Sequence, residues 1–386
     1  MQKVVIAGAA RTAMGGFAGV FAGVPAAVLG GVAIRASLGG VDPALVEEVV
    51  MGCVLPAGQG QAPARQAAFA GGLPQGVPAT TLNKMCGSGM KAVMLAHDQI
   101  IAGGCQIIVA GGMESMTEAP YLLPKMRGGA RLGHSAAQDH MFLDGLEDAY
   151  EKGRLMGSFA EDCAAAFGFT RADQDGYALA SLTRARAADM SVEIAAVTVQ
   201  GRKGDTVIMA DEQPLLARPE KIPTLKPAFR NGGTVTAANA SSISDGAAAL
   251  LVASEHAAQA HAMPIRAYIR GHASHAQAPA DFATAPIPAA RKLLDRLGWR
   301  VDSVDLWEVN EAFAVVPMAF MRDLGIPHAK LNVNGGACAL GHPIGASGAR
   351  IIVTLLHALE ARGLKRGIAA ICIGGGEGTA IAIERP

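Results

Sequence analysis

The sequence predicts an α/β fold, and predicts it twice over. Short apolar segments such as VVIAG, EEVVMGCV, QIIVAGG, IRAYIRG and AAICIGGG alternate with longer Ala-rich stretches of helical character. Strands separated by helices imply a mostly parallel sheet. The chain's 48 glycines cluster behind those strand-like segments, where tight turns and close backbone approach require them. The third observation is an internal repeat, which divides the chain.

Residues CQIIVAGGMESM (105–116) match AAICIGGGEGTA (369–380): an apolar strand, then glycines, then Glu. CGSGMKAV (86–93) matches GASGARII (345–352), small residues opening a helix. LVEEVVMGCV (45–54) matches SVDLWEVNEAF (303–313). The three pairs occur in one order, with spacings that agree to about five residues, as expected of two copies of one unit. The first copy is expected over 1–118, completed by about 241–262, and the second over 263–386. Between them, 119–240 has a different texture, rich in turn signals such as KMRGGARLGH, VQGRKGD and FRNGGTV. Such an insertion on a rigid scaffold commonly shapes a ligand site.

Bulk properties narrow the function classes. With 386 residues, 51% hydrophobic and 17% charged, the chain is globular with a large interior. Balanced charge and 4% aromatics argue against nucleic-acid partners and base-stacking surfaces. The start, MQKVVIAGAARTA, has no secretory pattern, and no unbroken apolar run of bilayer length is evident; the longest candidate, IAAICIGGGEGTAIAI, is interrupted by glycines and Glu377. Six cysteines (Cys53, Cys86, Cys105, Cys163, Cys338, Cys372) show no CxxC spacing, so reduced thiols and a cytoplasmic location are expected.

Four stretches combine reactive side chains with glycine-rich backbone: NKMCGSGMKAV, WEVNEAFA, NVNGGACALGHPIGASGAR and CIGGGEGTA. Cys86 precedes a helix signalled by Met90, Val93, Met94 and His97, and the positive end of that helix favours a thiolate. A nucleophilic thiol needs a base, and acyl chemistry needs N–H donors for a developing oxyanion. Cys86, a histidine and the glycine turns therefore make a self-consistent set for acyl transfer. Each also has a packing reading: Cys86 and Cys372 as core residues, His342 as a loop anchor, Asn310 as the cap of a helix with Glu311 in its first turn. G-S-G and A-S-G do not fit a serine nucleophile elbow, and neither an HExxH nor a clustered Cys/His pattern indicates a catalytic metal.

Taken together with GGMESM and NASSISDGAAA, these motifs resemble the thiolases from the first strand to the last. The resemblance implies a duplicated core layered αβαβα, with a loop domain inserted after the first half. It implies Cys86 as the acyl-carrying nucleophile, His342 as the group that takes its proton, and Cys372 as the acid/base at the α-carbon. Asn310 and His342 would form one oxyanion hole, and the backbone N–H groups of Cys86 and Gly374 the other. Coenzyme A would lie against the loop domain at Met156, Arg218, Phe229, Ala237, Ser241 and Ile243, with Ala312 and Phe313 beside the reacting end. No metal or resident cofactor is implied, and CoA and acyl-CoA are substrates. Thiolases assemble as dimers or tetramers, and the loop 119–141 is where a tetramer contact is expected.

The chain departs from the biosynthetic pattern in RLMGSFAED, with Leu155 in place of a histidine, and in DFATAPIP, with Phe282 at a pocket position often filled by methionine. Both departures bear on acyl-chain preference. Acetoacetyl-CoA formation or thiolysis is the expected reaction, with longer 3-oxoacyl-CoA thiolysis as the alternative. A β-ketoacyl synthase-like enzyme is disfavoured by Cys372, and a non-catalytic acyl-CoA binder by the intact set of Cys86, His342 and Cys372.

Overall fold

The computed structural model describes residues 2–202 and 204–386. Its centre is an 11-stranded sheet that runs through both halves of the chain. The principal strands are β1 (Val4–Thr12), β2 (Glu48–Gly52), β3 (Ala79–Leu82), β4 (Ile107–Ser115), β5 (Ser244–Ser254), β6 (Ala267–Ala276), β7 (Leu306–Val309), β8 (Arg366–Ile373) and β9 (Glu377–Glu384). Their order across the sheet is β7-β8-β9-β6-β1-β5-β4-β2-β3. Principal helices are α1 (Ala26–Ser37), α2 (Pro63–Ala70), α3 (Ser88–Ile101), α4 (Met156–Phe167), α5 (Arg171–Ala187), α6 (Pro286–Leu297), α7 (Val315–Leu324) and α8 (Ile344–Ala361).

The two halves repeat one plan. In the first, β2 runs parallel to β4, β5 returns antiparallel beside β4, and β1 closes antiparallel on β5. In the second, β7 runs parallel to β8, β9 returns antiparallel, and β6 closes on β9. Even the bulges coincide: the ladder slips between Ile6 and Gly8 in β1 and between Ile269 and Gly271 in β6. This register makes Val4, Val5 and Ile6 the counterparts of Ala267, Tyr268 and Ile269. The halves join where these segments pair with each other antiparallel, Val5 opposite Tyr268.

The sheet is mixed, which corrects the expectation of a mostly parallel one. β9 comes back through the tight turn Gly374–Gly376 with no helix between it and β8, and β5 returns antiparallel to β4 after the long insertion. The strand register also shifts the sequence repeat: Met113, not Ile108, is the partner position of Cys372, so the glycines of β4 lie inside a strand while those after β8 form a turn.

Layering follows from which helices touch which strands. α1 and α2 cover the outer face of the first half, and α6 the outer face of the second with α7 beside it. α3 and α8 lie between the halves and touch strands of both, giving the αβαβα stack. Their crossing is set by two counterpart glycines. A Cβ on Gly89 would sit 2.7 Å from the Ala349 nitrogen, and one on Gly348 would sit 2.4 Å from that of Met90. α8 is long and apolar enough to cross a membrane by composition, a segment the sequence reading passed over, but it is the buried core helix of this stack.

The insertion 119–240 carries α4, α5 and two small hairpins. Buried polar contacts tie it to the core. Glu311 accepts hydrogen bonds from Tyr177 Oη (2.9 Å) and Ser181 Oγ (2.7 Å) of α5, from Asn332 Nδ2 (2.8 Å) and from the Cys338 N–H (3.0 Å). A second anchor is Arg11, fully buried between Glu193 and Asp211 of the insertion.

Candidate active site

Cys86 stands on a turn immediately before α3. Met85 holds a left-handed φ of 47°, an uncommon conformation for a residue with a Cβ and one often found where a functional side chain is presented. Ser88 braces the turn: its hydroxyl accepts from the Lys84 N–H at 2.8 Å and donates to the Met85 carbonyl at 2.6 Å. A Cβ on Gly87 would lie 2.4 Å from Ile373 Cδ1, so its absence lets the turn close on the end of β8. Lys84 and Glu377 form an ion pair across the same gap, joining the Cys86 turn to the glycine turn that follows Cys372.

The electrostatics correct one expectation. Burial pushes the Cys86 thiol up to about 11, and the helix start does not make it a resting thiolate. Hydrogen bonds from the backbone N–H groups of Gly374 and of Cys86 itself act in the opposite direction, but burial wins, with Glu114 adding a smaller upward push. These two N–H groups are the pair named for one oxyanion hole, and the structure aims both at Cys86 Sγ.

His342 lies in the loop between the short helix Ala337–Leu340 and α8. Its N–H donates to the Ser242 carbonyl at 3.1 Å, which ties it to the 241–244 segment. Its Nδ1 is 2.5 Å from Ser347 Oγ, and that hydroxyl donates to the Pro343 carbonyl at 2.9 Å. With its one proton so used, Ser347 must accept from Nδ1–H. The tautomer follows: Nε2 carries the lone pair. That nitrogen is 3.5 Å from Asn310 Nδ2. Burial, aided by the Arg350 charge, lowers the His342 pKa to about 3, so the ring is neutral and able to accept a proton.

Asn310 is not a helix cap. It follows β7, its N–H donates to the Ala370 carbonyl at 3.0 Å, and α7 begins only at Val315. The loop between belongs to Glu311 and its anchor to α5, and Asn310 Oδ1 is buried without a hydrogen-bond partner among the described residues. Cys372 is the penultimate residue of β8, fully buried, with its thiol held well above the ordinary range by burial and then by the nearby Cys86.

The expected CoA contacts fall into three groups. Phe229, Phe282 and Phe313 form one aromatic cluster: Phe313 meets Phe229 edge-on at 5.9 Å and Phe282 at 6.4 Å, and Phe282 meets Phe159 at 6.4 Å. Ala312 and Cys372 share the core beneath them, with Met156 and Phe229 packed against it. Met156 opens α4, and its Sδ would stand 3.6 Å from a Cβ on Gly374; Leu155 is the residue before it. Ser241 donates from its N–H (2.9 Å) and hydroxyl (3.0 Å) to the Ala312 carbonyl, and Ile243 packs in a small cluster with Cys86. Ala237 and Arg218 are exposed, and Arg218 begins the turn Pro219–Thr224, which Arg171 of α5 holds through the Ile222 and Leu225 carbonyls.

Sequence reasoning missed three positioning residues. Ser347 fixes the His342 tautomer, and Ser242 fixes its backbone. Glu114 collects the N–H groups of Val54 (2.9 Å), Leu55 (3.1 Å) and Gly345 (2.8 Å), yet burial still raises it to about 7. Glu114 lies within the quoted GGMESM motif, but nothing there says that the carboxylate points inward.

Comparison with known proteins agrees with this architecture. Residues 4–256 match the model for the thiolase N-terminal domain, and residues 263–385 that for the thiolase C-terminal domain. The chain belongs to the thiolase family. Among relatives of this thiolase, an acetyl-CoA acetyltransferase of Pseudomonas aeruginosa is 49% identical over 100% of both chains. Acetyl-CoA acetyltransferase 2 of Arabidopsis thaliana is 48% identical over 99% of this chain and 97% of its own. Two solved structures superpose closely. The acetyl-CoA acetyltransferase of Bacillus anthracis has a TM-score of 0.96 and 39% identity, covering 100% of this chain and 99% of that one. The Acat5 thiolase of Ascaris suum in complex with coenzyme A has a TM-score of 0.93 and 39% identity, covering 100% of both.

Proposed function

We propose that this thiolase is an acetyl-CoA C-acetyltransferase that reversibly joins two acetyl-CoA molecules into acetoacetyl-CoA and CoA. The observation that carries the reading is the convergence on Cys86 of two backbone donors, with a second thiol, Cys372, near enough to act on its charge, and with a neutral imidazole of defined tautomer, His342, in the loop before the counterpart helix α8. Relatives named acetyl-CoA acetyltransferase, aligned end to end, support the substrate, and the neighbour solved with coenzyme A supports CoA as a substrate.

Each group's resting protonation state suggests its part. His342 Nε2 takes the Cys86 proton as Sγ attacks the thioester carbonyl, and the N–H groups of Cys86 and Gly374 hold the oxyanion. CoA leaves as a thiolate and takes the proton of Cys372, which burial has kept as a thiol until then. Acetyl-Cys86, protonated His342 and the Cys372 thiolate remain. The Cys372 thiolate then removes a proton from the methyl of a second acetyl-CoA, and His342 with Asn310 holds the enolate oxygen. The carbanion attacks acetyl-Cys86, the Cys86 thiolate departs, and His342 returns its proton. Every proton is accounted for, and the enzyme ends as it began.

The aromatic cluster around Phe282 favours a short acyl group, because a buried ring there occupies volume that a longer chain would need. Thiolysis of a four-carbon and a ten-carbon 3-oxoacyl-CoA, measured side by side, tests this: the four-carbon substrate should have the higher kcat/KM. A preference for ten carbons would move the enzyme to fatty-acid degradation. A homo-oligomer, dimer or tetramer, is part of the same reading. Its support is the exposed apolar group Tyr121, Leu123, Met126 and Leu132, the last 97% exposed. Sedimentation analysis of wild type and a Leu132→Glu variant tests it. A cytoplasmic location is proposed on the six unpaired thiols.

A further inference from the structure

At the far end of α3 from Cys86, three side chains from the two halves of the chain meet. His97 and Asp98 lie in the last turns of α3, and His272 lies on β6. Asp98 Oδ1 is 3.1 Å from His97 Nδ1 and 2.8 Å from His272 Nε2, and all three donor atoms lie within 4.8 Å of one another. The two imidazole rings meet edge to face at 5.1 Å. We propose that His97, Asp98 and His272 form a binding site for a divalent transition-metal ion of the zinc class, with the fourth position open to water.

The donor set is the one such ions select: two imidazoles and one carboxylate, with Asp98 half-exposed so that solvent reaches the ion. Metal–ligand bonds of about 2.0–2.1 Å place tetrahedral ligands roughly 3.3 Å apart. The two Asp98–histidine contacts therefore need to open by only a few tenths of an ångström, with the two ring nitrogens, already within 4.8 Å of each other, settling to the same spacing. Their protonation also suits. Without metal, both rings can donate N–H to Asp98; with metal, each proton moves to the ring's other nitrogen, so no net charge is lost. Two cations oppose the ion: Lys91, whose charge reaches His272, and Arg296, which donates to the His272 carbonyl at 3.0 Å. They limit affinity without occupying the ligand positions.

Such an ion would staple the nucleophile helix of the first half to the sheet of the second. Because it binds the folded chain, it would raise the melting temperature by an amount that grows with the logarithm of its excess over Kd. The site lies outside the groups proposed to react, so its failure leaves the acyltransfer reading untouched.

The test is a titration of chelator-treated full-length protein with Co2+, followed by visible absorption and by calorimetry, with Zn2+ as competitor. One ion per chain is expected, and Zn2+ should raise the melting temperature. Asp98→Asn and His272→Gln should each weaken binding at least ~100-fold, beyond the ~10–100-fold typical of losing a mere outer partner. Circular dichroism and thiolysis by both variants should stay at wild-type levels, and protein with alkylated thiols should still bind. Unchanged binding by His272→Gln, loss of binding on alkylation, or no stoichiometric binding by the wild type would each overturn the proposal.

Discussion

The two halves of the chain share a scaffold down to the position of a β-bulge, yet they present different chemistry from it. At the start of α3 the first half places Cys86; the counterpart in α8 is Gly345, and His342 sits where the first half has Asn83. Near the end of the strand that precedes the returning one in each plan, β4 and β8, the second half has Cys372 and a tight glycine turn. The first half has Met113 there, and its chain leaves the core two residues later for the long insertion. A duplicated frame supplies two equivalent sites at its centre. The difference teaches that the two equivalent positions are filled unequally, one with the proposed nucleophile and the other with glycine, three residues after the proposed base.

That comparison can be broken most completely at Cys86. Cys86→Ala should lower thiolysis by on the order of 10^4-fold or more, as expected when the nucleophile of a concerted set is lost. Incubating the wild type with acetyl-CoA should add one acetyl mass on the peptide holding Cys86. Cys372→Ala should lose about 10^2–10^4-fold in turnover, the usual worth of a positioned acid/base, while still acquiring acetyl on Cys86. Equal loss of acetylation and turnover would mean that the proton Cys372 gives to the departing CoA, and not the one it takes from the second acetyl-CoA, limits the reaction.

Ser347→Ala removes the acceptor that fixes Nδ1–H of His342. Turnover should fall about 10–100-fold by analogy with the loss of other orienting partners, with the melting temperature little changed. The helix crossing tests the symmetry itself. Gly89→Ala and Gly348→Ala each push a Cβ into backbone of the other helix, and each should cost about 1–3 kcal/mol in denaturant unfolding. Comparable losses would confirm that neither half dominates the seam; a loss confined to one would show that the other helix can yield.

The smallest effect is expected from pH. His342, lowered to about 3, stays uncharged through mild acid, so kcat/KM should show no fall near the ordinary histidine value of about 6.5. Cys86, raised to about 11, is protonated throughout, and its alkylation rate should keep climbing with pH instead of levelling near neutrality. A plateau near pH 7 would restore the helix-start thiolate.

Much of this was legible in the chain, and the gaps have physical causes. Met90, Val93 and Met94 lie on the buried stripe of α3, with His97 half-buried at its edge, because helical spacing survives burial. The direction of β5 did not show: SDGAAALLVAS is Ala-rich, and its strand conformation comes from pairing with β1 and β4 on either side, not from local preference. The thiolate expectation failed because the macrodipole acts through a few partial charges, whereas desolvation acts on the whole ion. Ser347 and Glu114 were invisible because each orients another group instead of reacting. His97 and His272 lie far apart in sequence, and only the seam brings them together.

The opposition of Val5 and Tyr268 across the seam carries a historical consequence. They are counterparts, so the strand edge of one copy is complementary to itself, and a two-fold axis passes between them. Gly89 and Gly348, also counterparts, cross on the same terms. This is the geometry of an isologous homodimer, with its two protomers now covalently joined through residues 255–266. In such a dimer every mutation strikes both subunits at once, and a cysteine gained in one site appears in the other. Fusion into one gene lifts that constraint. A homodimer could not have Cys86 on one side of the axis and Gly345 on the other.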